Sequence, residues 1–398
     1  MSPDDQTLAY GKDASTADGM PKANNSNSTS QSAVSKAFKS CILHIGTEKT
    51  GSSAVQNFFF LNKKRLKKEG IYYPSIGQSG SQWQFVAAVH DAPWSNVDIK
   101  REFDINDGND QTLYAEKLNT QLQSEFRNAK NCHTLVLSSE HFHSRLHSQN
   151  SVARLKKLLD PWIDNFTVVV YFRRQDRVAI SLNSTRVKSG SQAKIDVFPN
   201  FSRDSLPYYD YSRLFNRWAQ VFGRESIVAR KYENAVAQPG GLIGDITSIV
   251  GTTTLKKKVP QLDINASLSR PAFYFLKEMN KQLPKHREDG LDEDADQMIK
   301  DLSHLFPGKH FPVEREKAVR FMSQFEDVNE ELRQLAFPNH PAPLFDTDFN
   351  EYPERPEVSG LTVEEAVEIS INLAKYRRQR QSETTFLDML WQILAPRK

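Results

Sequence analysis

Gly46 and Gly51 stand five residues apart with Lys49 between them, and Thr50, Ser52 and Ser53 surround the second glycine. Residues of these types at this spacing can bind an anion. Small residues let it approach the backbone closely, their hydroxyls add donors, and the lysine adds a charge. Such a site is completed by the positive end of a helix, where the first N–H groups have no intrahelical partner. The flanking residues supply one. Residues 41–45 (CILHI) form a short, mostly apolar run that reads as a buried strand. From Ser52 onward Val55, Phe58, Phe59 and Leu66 recur at helical spacing, and a basic last turn (Lys63, Lys64, Arg65, Lys67, Lys68) leads to Gly70. Strand, glycine loop and helix together predict a phosphate site.

The lysine narrows the chemistry. In the nucleoside-triphosphatase loop, G-x-x-x-x-G-K-[ST], lysine follows the second glycine and the hydroxyl residue holds magnesium. Here Ser52 follows that glycine and the lysine lies inside the loop, at 49.

The elements that must position this loop can be read along the chain. Residues 1–36 are rich in Ser, Asn, Asp, Gly and Thr and read as a disordered tail. Residues 71–112 mix aromatics with turn formers and read as a loop and short helices over the mouth of the site. Helical spacing over 113–127 precedes a second apolar strand, 134–137, which ends in Ser138–Ser139–Glu140–His141–Phe142–His143. A helix over about 151–159 follows. Residues 166–172 (FTVVVYF) are the clearest strand, all seven being β-branched or aromatic, as expected of a central parallel strand covered on both faces. It runs into Arg173–Arg174–Gln175–Asp176–Arg177. An amphipathic helix at 211–222, a fourth strand at 226–232 and a helix at 242–250 complete the alternation. Strands and helices in this order predict a three-layer α/β/α fold with a central parallel sheet, in which ligands sit beyond the carboxyl ends of the strands. Past residue 260 the chain reads as mostly helical, with a charged exposed loop at 286–296 and a terminal helix over about 363–394. The expected division is a tail (1–36), a main domain (37–350) and a helical extension (351–398).

Composition bounds the function. With 52 basic and 49 acidic residues among 398, the net charge of +3 argues against a nucleic-acid or polybasic membrane-surface protein. No apolar run approaches the roughly 20 residues that span a bilayer, and the N-terminus lacks the apolar core of a signal peptide. The expectation is a soluble, cytoplasmic protein. Cys41 and Cys132, both placed at strand starts, read as buried free thiols.

Lys49–Thr50–Gly51–Ser52–Ser53 resembles, position by position, the 5′-phosphosulfate loop K-[TS]-G-[TS]-[TS] of the sulfotransferases that use 3′-phosphoadenosine 5′-phosphosulfate (PAPS). In that family an arginine at a strand end and a serine eight residues on hold the 3′-phosphate, and Arg173 and Ser181 stand eight apart here. Because a straight helix would keep that serine away from the phosphate, a bend is expected around Gln175–Asp176. Lys231–Tyr232–Glu233 resembles the family's K-Y-E motif, whose tyrosine lies near the adenine. Asn265–Ala266–Ser267–Leu268–Ser269 and Pro343–Leu344–Phe345 also resemble bacterial sulfotransferase-domain segments, and the resemblance covers roughly residues 40–350. It implies sulfuryl transfer from PAPS as co-substrate to a hydroxyl or amine of a glycan or small molecule. It requires no metal.

Sulfuryl transfer, like phosphoryl transfer, is an in-line displacement governed by positioning and electrostatics. Lys49 is the cation for the leaving oxygen, and residues 50–53 hold the leaving phosphate. The base belongs at the end of the second strand: Glu140 first, then His141 and His143. His44 reads as a core residue, Glu48 as a loop charge, and Arg174 and Arg177 as surface charges or partners of Asp176. Arg186 and Lys188 are candidates for an anionic acceptor. The loops at 71–112 and 183–210 would shape the acceptor pocket, and their Tyr72, Tyr73, Trp83, Phe85, Trp94, Tyr208 and Tyr209 would suit stacking on sugar rings or ordinary packing. Two other readings stay open: a P-loop kinase or nucleoside triphosphatase, and a catalytically silent anion-binding relative. The oligomeric state is not legible.

Overall fold

Five parallel strands run through the centre of the molecule in the order β2-β3-β1-β4-β5. The computed structural model describes residues 36–76, 80–190, 196–204, 206–253, 267–282, 286–287, 290–291, 293–355 and 360–394, with side chains to residue 380 except at 286–287, 290–291 and 293–294. The tail expected at 1–36 (all but its last residue), Asn265 and Ala266 of the NASLS segment, and parts of the 183–210 segment lie outside the described residues.

β1 (Phe38–His44) leads through the glycine loop into α1 (Ser52–Lys68), which returns to the edge strand β2 (Ile71–Tyr72). α2 (Trp83–Val89), α3 (Val97–Phe103) and α4 (Gly108–Arg127) carry the chain to β3 (Thr134–Ser138). Next come α5 (His141–Arg145), α6 (Gln149–Leu159) and β4 (Ile163–Phe172). α7 (Gln175–Lys188) and α8 (Tyr211–Phe222) precede β5 (Ile227–Lys231), α9 (Tyr232–Ala237) and α10 (Gly241–Val250). Beyond them lie α11 (Arg270–Gln282), the hairpin of β6 (His286–Arg287) and β7 (Gly290–Leu291), α12 (Glu293–Leu305), α13 (Arg315–Ser323), α14 (Glu326–Ala336) and α15 (Val363–Leu394).

The sheet is buried on both faces because successive side chains point to opposite sides. Leu43, Leu135, Leu137, Val168, Val170 and Phe172 pack with α2, α4, α6 and α8. Ile42, Val136, Val169 and Tyr171 face the other way, onto Val55, Phe58, Phe59 and Leu66 of α1 and Ile246 of α10. The register sets Leu43 opposite both Leu137 and Val168. The fold is therefore three-layer α/β/α, as the alternation of strands and helices predicts.

Sheet order decides where a ligand can sit. From β1 the chain passes to β2 on the far side of β3, whereas from β4 it passes to β5 on the opposite side, so the neighbours β1 and β4 form the switch point beyond whose carboxyl ends ligands sit in open α/β sheets. The loop at 45–51, the turn at 139–141 and Arg173–Arg174 all emerge there.

Several expectations need correction. β1 starts at Phe38, so Cys41 lies mid-strand, and Ile71–Tyr72 pairs with β3 as a short strand where a loop was expected. Two residues are too few to show a period. Within 286–296, where an exposed loop was expected, His286–Arg287 pairs antiparallel with Gly290–Leu291 and α12 begins at Glu293. Residues 183–188, read as loop, are the last turns of α7. α15 does form, and its Ile369 and Leu373 pack on α11 and α12.

Candidate functional site

The loop after β1 is built to present backbone donors. Gly46 (φ 97°) packs so closely on the end of β3 that a Cβ there would lie 3.3 Å from the Glu140 Cα. Gly51 (φ 77°) caps α1 in the left-handed conformation, and a Cβ there would lie 2.5 Å from Leu242 Cδ2. Among the described residues none accepts a hydrogen bond from the N–H groups of Thr50, Gly51, Ser52 or Ser53. These N–H groups form the positive end of a 17-residue helix.

The hydroxyls do something other than expected. Thr50 Oγ1 donates inward to the Thr47 carbonyl at 2.5 Å, and Ser52 Oγ lies 3.4 Å from the same oxygen. Thr50 and Ser52 are buried, so their hydroxyls fix the loop while their N–H groups remain available. Only Ser53 of the three is exposed.

Lys49 occupies a left-handed backbone position (φ 65°) and its Nζ donates to Thr185 Oγ1 of α7 at 2.6 Å. Burial lowers its pKa, an effect that the carboxylates of Glu48 and Glu140 oppose and Arg173 reinforces. Ser181 lies one turn before Thr185 on the same face of α7, half-buried. The expected bend at Gln175–Asp176 is absent, because both residues are already helical. The break is one residue earlier, at Arg174 (ψ 132°), and a sharp strand-to-helix turn carries the continuous helix back across the loop.

Arg173 meets the same loop from the end of β4. Its Nη1 donates to the Lys49 carbonyl at 2.9 Å, and its guanidinium lies 4.8 Å over the Tyr232 ring and 3.5 Å from Glu233. Thus the KTGSS loop, Arg173 and the Tyr232 of the K-Y-E segment come together. Arg174 turns the other way. It is buried, not a surface charge, and pairs with buried Asp176 at 2.8 Å and with Asp346 at 2.5 Å. Arg177 pairs with Glu351.

Beyond β3, Glu140 accepts from Gln56 Nε2 of α1 at 2.5 Å. His143 is buried and bonded at both nitrogens: Nδ1 accepts from the Glu48 N–H (3.4 Å) and Nε2–H donates to the Tyr208 carbonyl (3.0 Å). Burial pushes its pKa down to about 4. It is a neutral strut for the loop. His141 is different: its ring lies 3.9 Å from that of Trp83, and Nδ1 is buried with no hydrogen-bond partner among the described residues. Burial lowers its pKa, opposed by Glu140, Glu48 and Asp98 and assisted by Arg145.

Glu48 was underestimated as a loop charge. Its side chain is 16% exposed, Oε2 accepts from Tyr208 Oη at 3.1 Å and Oε1 lies 4.0 Å from His141 Nδ1. Burial raises its pKa, but the neighbouring Ser144 hydroxyl, His143, His141 and Arg145 outweigh that, and the carboxyl ends below its ordinary value. Gln56 and Thr185 were also missed as site residues: each lies about one helical turn past a motif residue, and only tertiary folding pairs it with Glu140 and Lys49, while Tyr208, suggested for stacking, instead donates its hydroxyl to Glu48. His44 is a core residue hydrogen-bonded to Ser138, yet its Nε2 has no hydrogen-bond partner among the described residues. Of the aromatics suggested for sugar stacking, Tyr72, Tyr73, Phe85 and Tyr209 are core residues. Trp83 and Tyr208 are half-buried beside the site, and Trp94 is exposed. Lys188 lies near Lys49, whose charge helps burial to lower the Lys188 pKa. Among the described residues no helix is long and apolar enough to cross a membrane, and no cluster of His, Cys, Asp and Glu could hold a metal ion.

The chain matches no protein-family profile. It is 22% identical over 244 residues to an uncharacterized protein of Archaeoglobus fulgidus; the match covers 59% of this chain and 62% of that protein, less than two thirds of the relative's length. Two solved structures align with it at high probability. One is a sulfotransferase from Alicyclobacillus acidocaldarius, with 13% identity, a TM-score of 0.39, and coverage of 75% of this chain and 95% of that one. The other is a sulfotransferase domain from the curacin biosynthetic pathway, with 12% identity, a TM-score of 0.32, and coverage of 72% and 97%.

Proposed function

We propose that this chain is a sulfotransferase that takes the sulfuryl group from PAPS and delivers it to a hydroxyl or amine of a glycan or small molecule. The observation that carries the reading is the meeting of Arg173 and the Lys49 loop at the carboxyl end of the sheet, 2.9 Å apart, with the Tyr232 ring beneath the guanidinium. A nucleotide with phosphates at both ends of its ribose needs two anion sites and a stacking surface within one crevice. The open N–H groups of residues 50–53 suit the 5′-phosphate, and Arg173 with Ser181 suits the 3′-phosphate. Tyr232 suits the adenine.

In this reading Lys49 places its charge on the oxygen that bridges sulfur and the 5′-phosphate, where negative charge grows as that bond breaks. Half-burial strengthens this interaction over its value in water. The proton of the acceptor passes to a base at the end of β3, Glu140 or His141; His143, bonded at both nitrogens, holds the loop in place.

The test is calorimetric titration with 3′-phosphoadenosine 5′-phosphate beside magnesium-ATP, followed by transfer from labelled PAPS to a panel of acceptors. Binding of the bisphosphate together with transfer supports the proposal. Magnesium-dependent ATP turnover would mark a P-loop kinase or nucleoside triphosphatase, and nucleotide binding without transfer to any acceptor a silent relative.

A further inference from the structure

The geometry points to Glu48 as the positioning residue for His141, setting the imidazole with Nδ1 protonated and Nε2 free to act as the base. This inference rests on the sulfotransferase reading and deepens it, by choosing between the two groups that remain at the end of β3.

The two oxygens of Glu48 have different surroundings. Oε2 is held by the Tyr208 hydroxyl at 3.1 Å, and the backbone N–H of the same residue is held by His143. The residue is therefore held at its main chain and at one carboxylate oxygen, and the other oxygen faces His141 Nδ1 at 4.0 Å. That nitrogen is shut away from solvent and bonds to no described residue. A buried ring nitrogen without a partner is costly, and a carboxylate acceptor is the group on hand to satisfy it. A closure of about 1 Å makes the hydrogen bond, in keeping with catalytic contacts that are long before substrate binds. Nε2 bonds to no described residue and is not among the sealed-off nitrogens, and the side chain remains 28% exposed. The Trp83 ring at 3.9 Å limits the tilt of the imidazole.

The other charged groups facing His141 are Glu140, Asp98 and Arg145. Asp98 pairs with Arg145 at 3.4 Å and Glu140 Oε2 accepts from Gln56, and among the described residues Glu48 Oε1 is the carboxylate oxygen within 4.0 Å of a His141 ring nitrogen. His143 lacks this arrangement, since its Nε2 carries the proton. In the transfer step the acceptor O–H proton moves to His141 Nε2 as the acceptor oxygen bonds to sulfur. The bond from sulfur to the bridging oxygen breaks, its electron pair leaves with the 5′-phosphate, and Glu48 balances the imidazolium.

The experiment is nuclear magnetic resonance of the full chain with isotope-labelled histidine rings, the His141 signal being assigned by its loss in His141→Phe. In the wild type the Nδ1–H tautomer should dominate. Glu48→Gln keeps an oxygen for Tyr208 but turns an amide N–H toward Nδ1, so the signal should switch to the Nε2–H tautomer and the His141 pKa should fall. Glu48→Asp should restore the wild-type tautomer. Where an acceptor has been found, transfer by Glu48→Gln should drop about 1000-fold or more, as expected for a base locked in the wrong tautomer, while bisphosphate affinity is retained. A wild-type His141 already in the Nε2–H form, or a tautomer unmoved by Glu48→Gln, overturns the inference. Failure to bind the bisphosphate would instead sink the sulfotransferase reading and leave the tautomer result standing.

Discussion

Arg173 Nη1 donates to the backbone carbonyl of Lys49 across 124 residues of sequence, at 2.9 Å. The contact ties the end of β4 to the loop after β1, so the arginine shapes the loop while its side chain stays 25% exposed beside it. Arg173→Ala should weaken binding of 3′-phosphoadenosine 5′-phosphate roughly 10- to 100-fold, the worth of losing charge-assisted hydrogen bonds. Arg173→Lys should recover only part, because an ammonium cannot reproduce the planar fork. Calorimetry on both variants checks this, and unchanged affinity in the alanine variant would count against the two-phosphate arrangement.

Lys49 is half-buried and its amine is oriented by Thr185. Lys49→Ala should lower transfer by roughly 100- to 1000-fold while thermal stability stays near wild type. Single-turnover rates with labelled PAPS, read beside a melting curve, separate the two effects.

The left-handed conformation at Gly51, with Leu242 packed against it, makes a sharper structural prediction. Gly51→Ala should cost about 1–3 kcal/mol, from backbone strain and the side chain that must move aside. Denaturant unfolding should show a lower midpoint with an unchanged slope.

Arg174 and Asp176 form a buried ion pair that Tyr352 Oη completes by donating to Asp176 at 2.8 Å. Arg174→Ala leaves a buried carboxylate without its partner and should cost about 3–5 kcal/mol. A loss below 1 kcal/mol in urea unfolding would show that this pair is not truly desolvated.

Two histidines give the fold an acid-sensitive margin. Burial holds His44 and His143 near a pKa of about 4, against 6.5 for the free side chain. Between those values the unfolded chain binds protons that the folded one refuses. Stability is therefore fully present above about pH 6.5 and falls as pH drops toward 4, by on the order of 3 kcal/mol per histidine. Urea unfolding across pH 4–7 should show this slope, and His44→Gln should reduce it. A flat profile in the wild type would refute the assignment.

Much of this was legible in residue order. The run FTVVVYF reads as a doubly covered strand, and the change from strand to helical spacing around Gly46–Ser53 locates the loop, because backbone periodicity is a local property. The spacing of Arg173 and Ser181 was legible too, but not the course of the chain between them. A bend was expected within Gln175–Asp176; the turn lies at Arg174, whose side chain is drawn inward by Asp176. Glu48 shows the limit most clearly. A glutamate beside a glycine loop looks like a solvated charge, and nothing within ten residues says otherwise. Its burial comes from Tyr208, His143 and His141, which lie 93 to 160 positions away. Local sequence determined most of the elements, the glycine loop and the candidate cations, since those depend on period and on neighbours along the chain. Which carboxylate faces which imidazole, which arginine turns into the crevice and which into the core, and which hydroxyls remain free were decided only by packing. Those outcomes depend on desolvation and on partners from distant segments, and no window of sequence contains both.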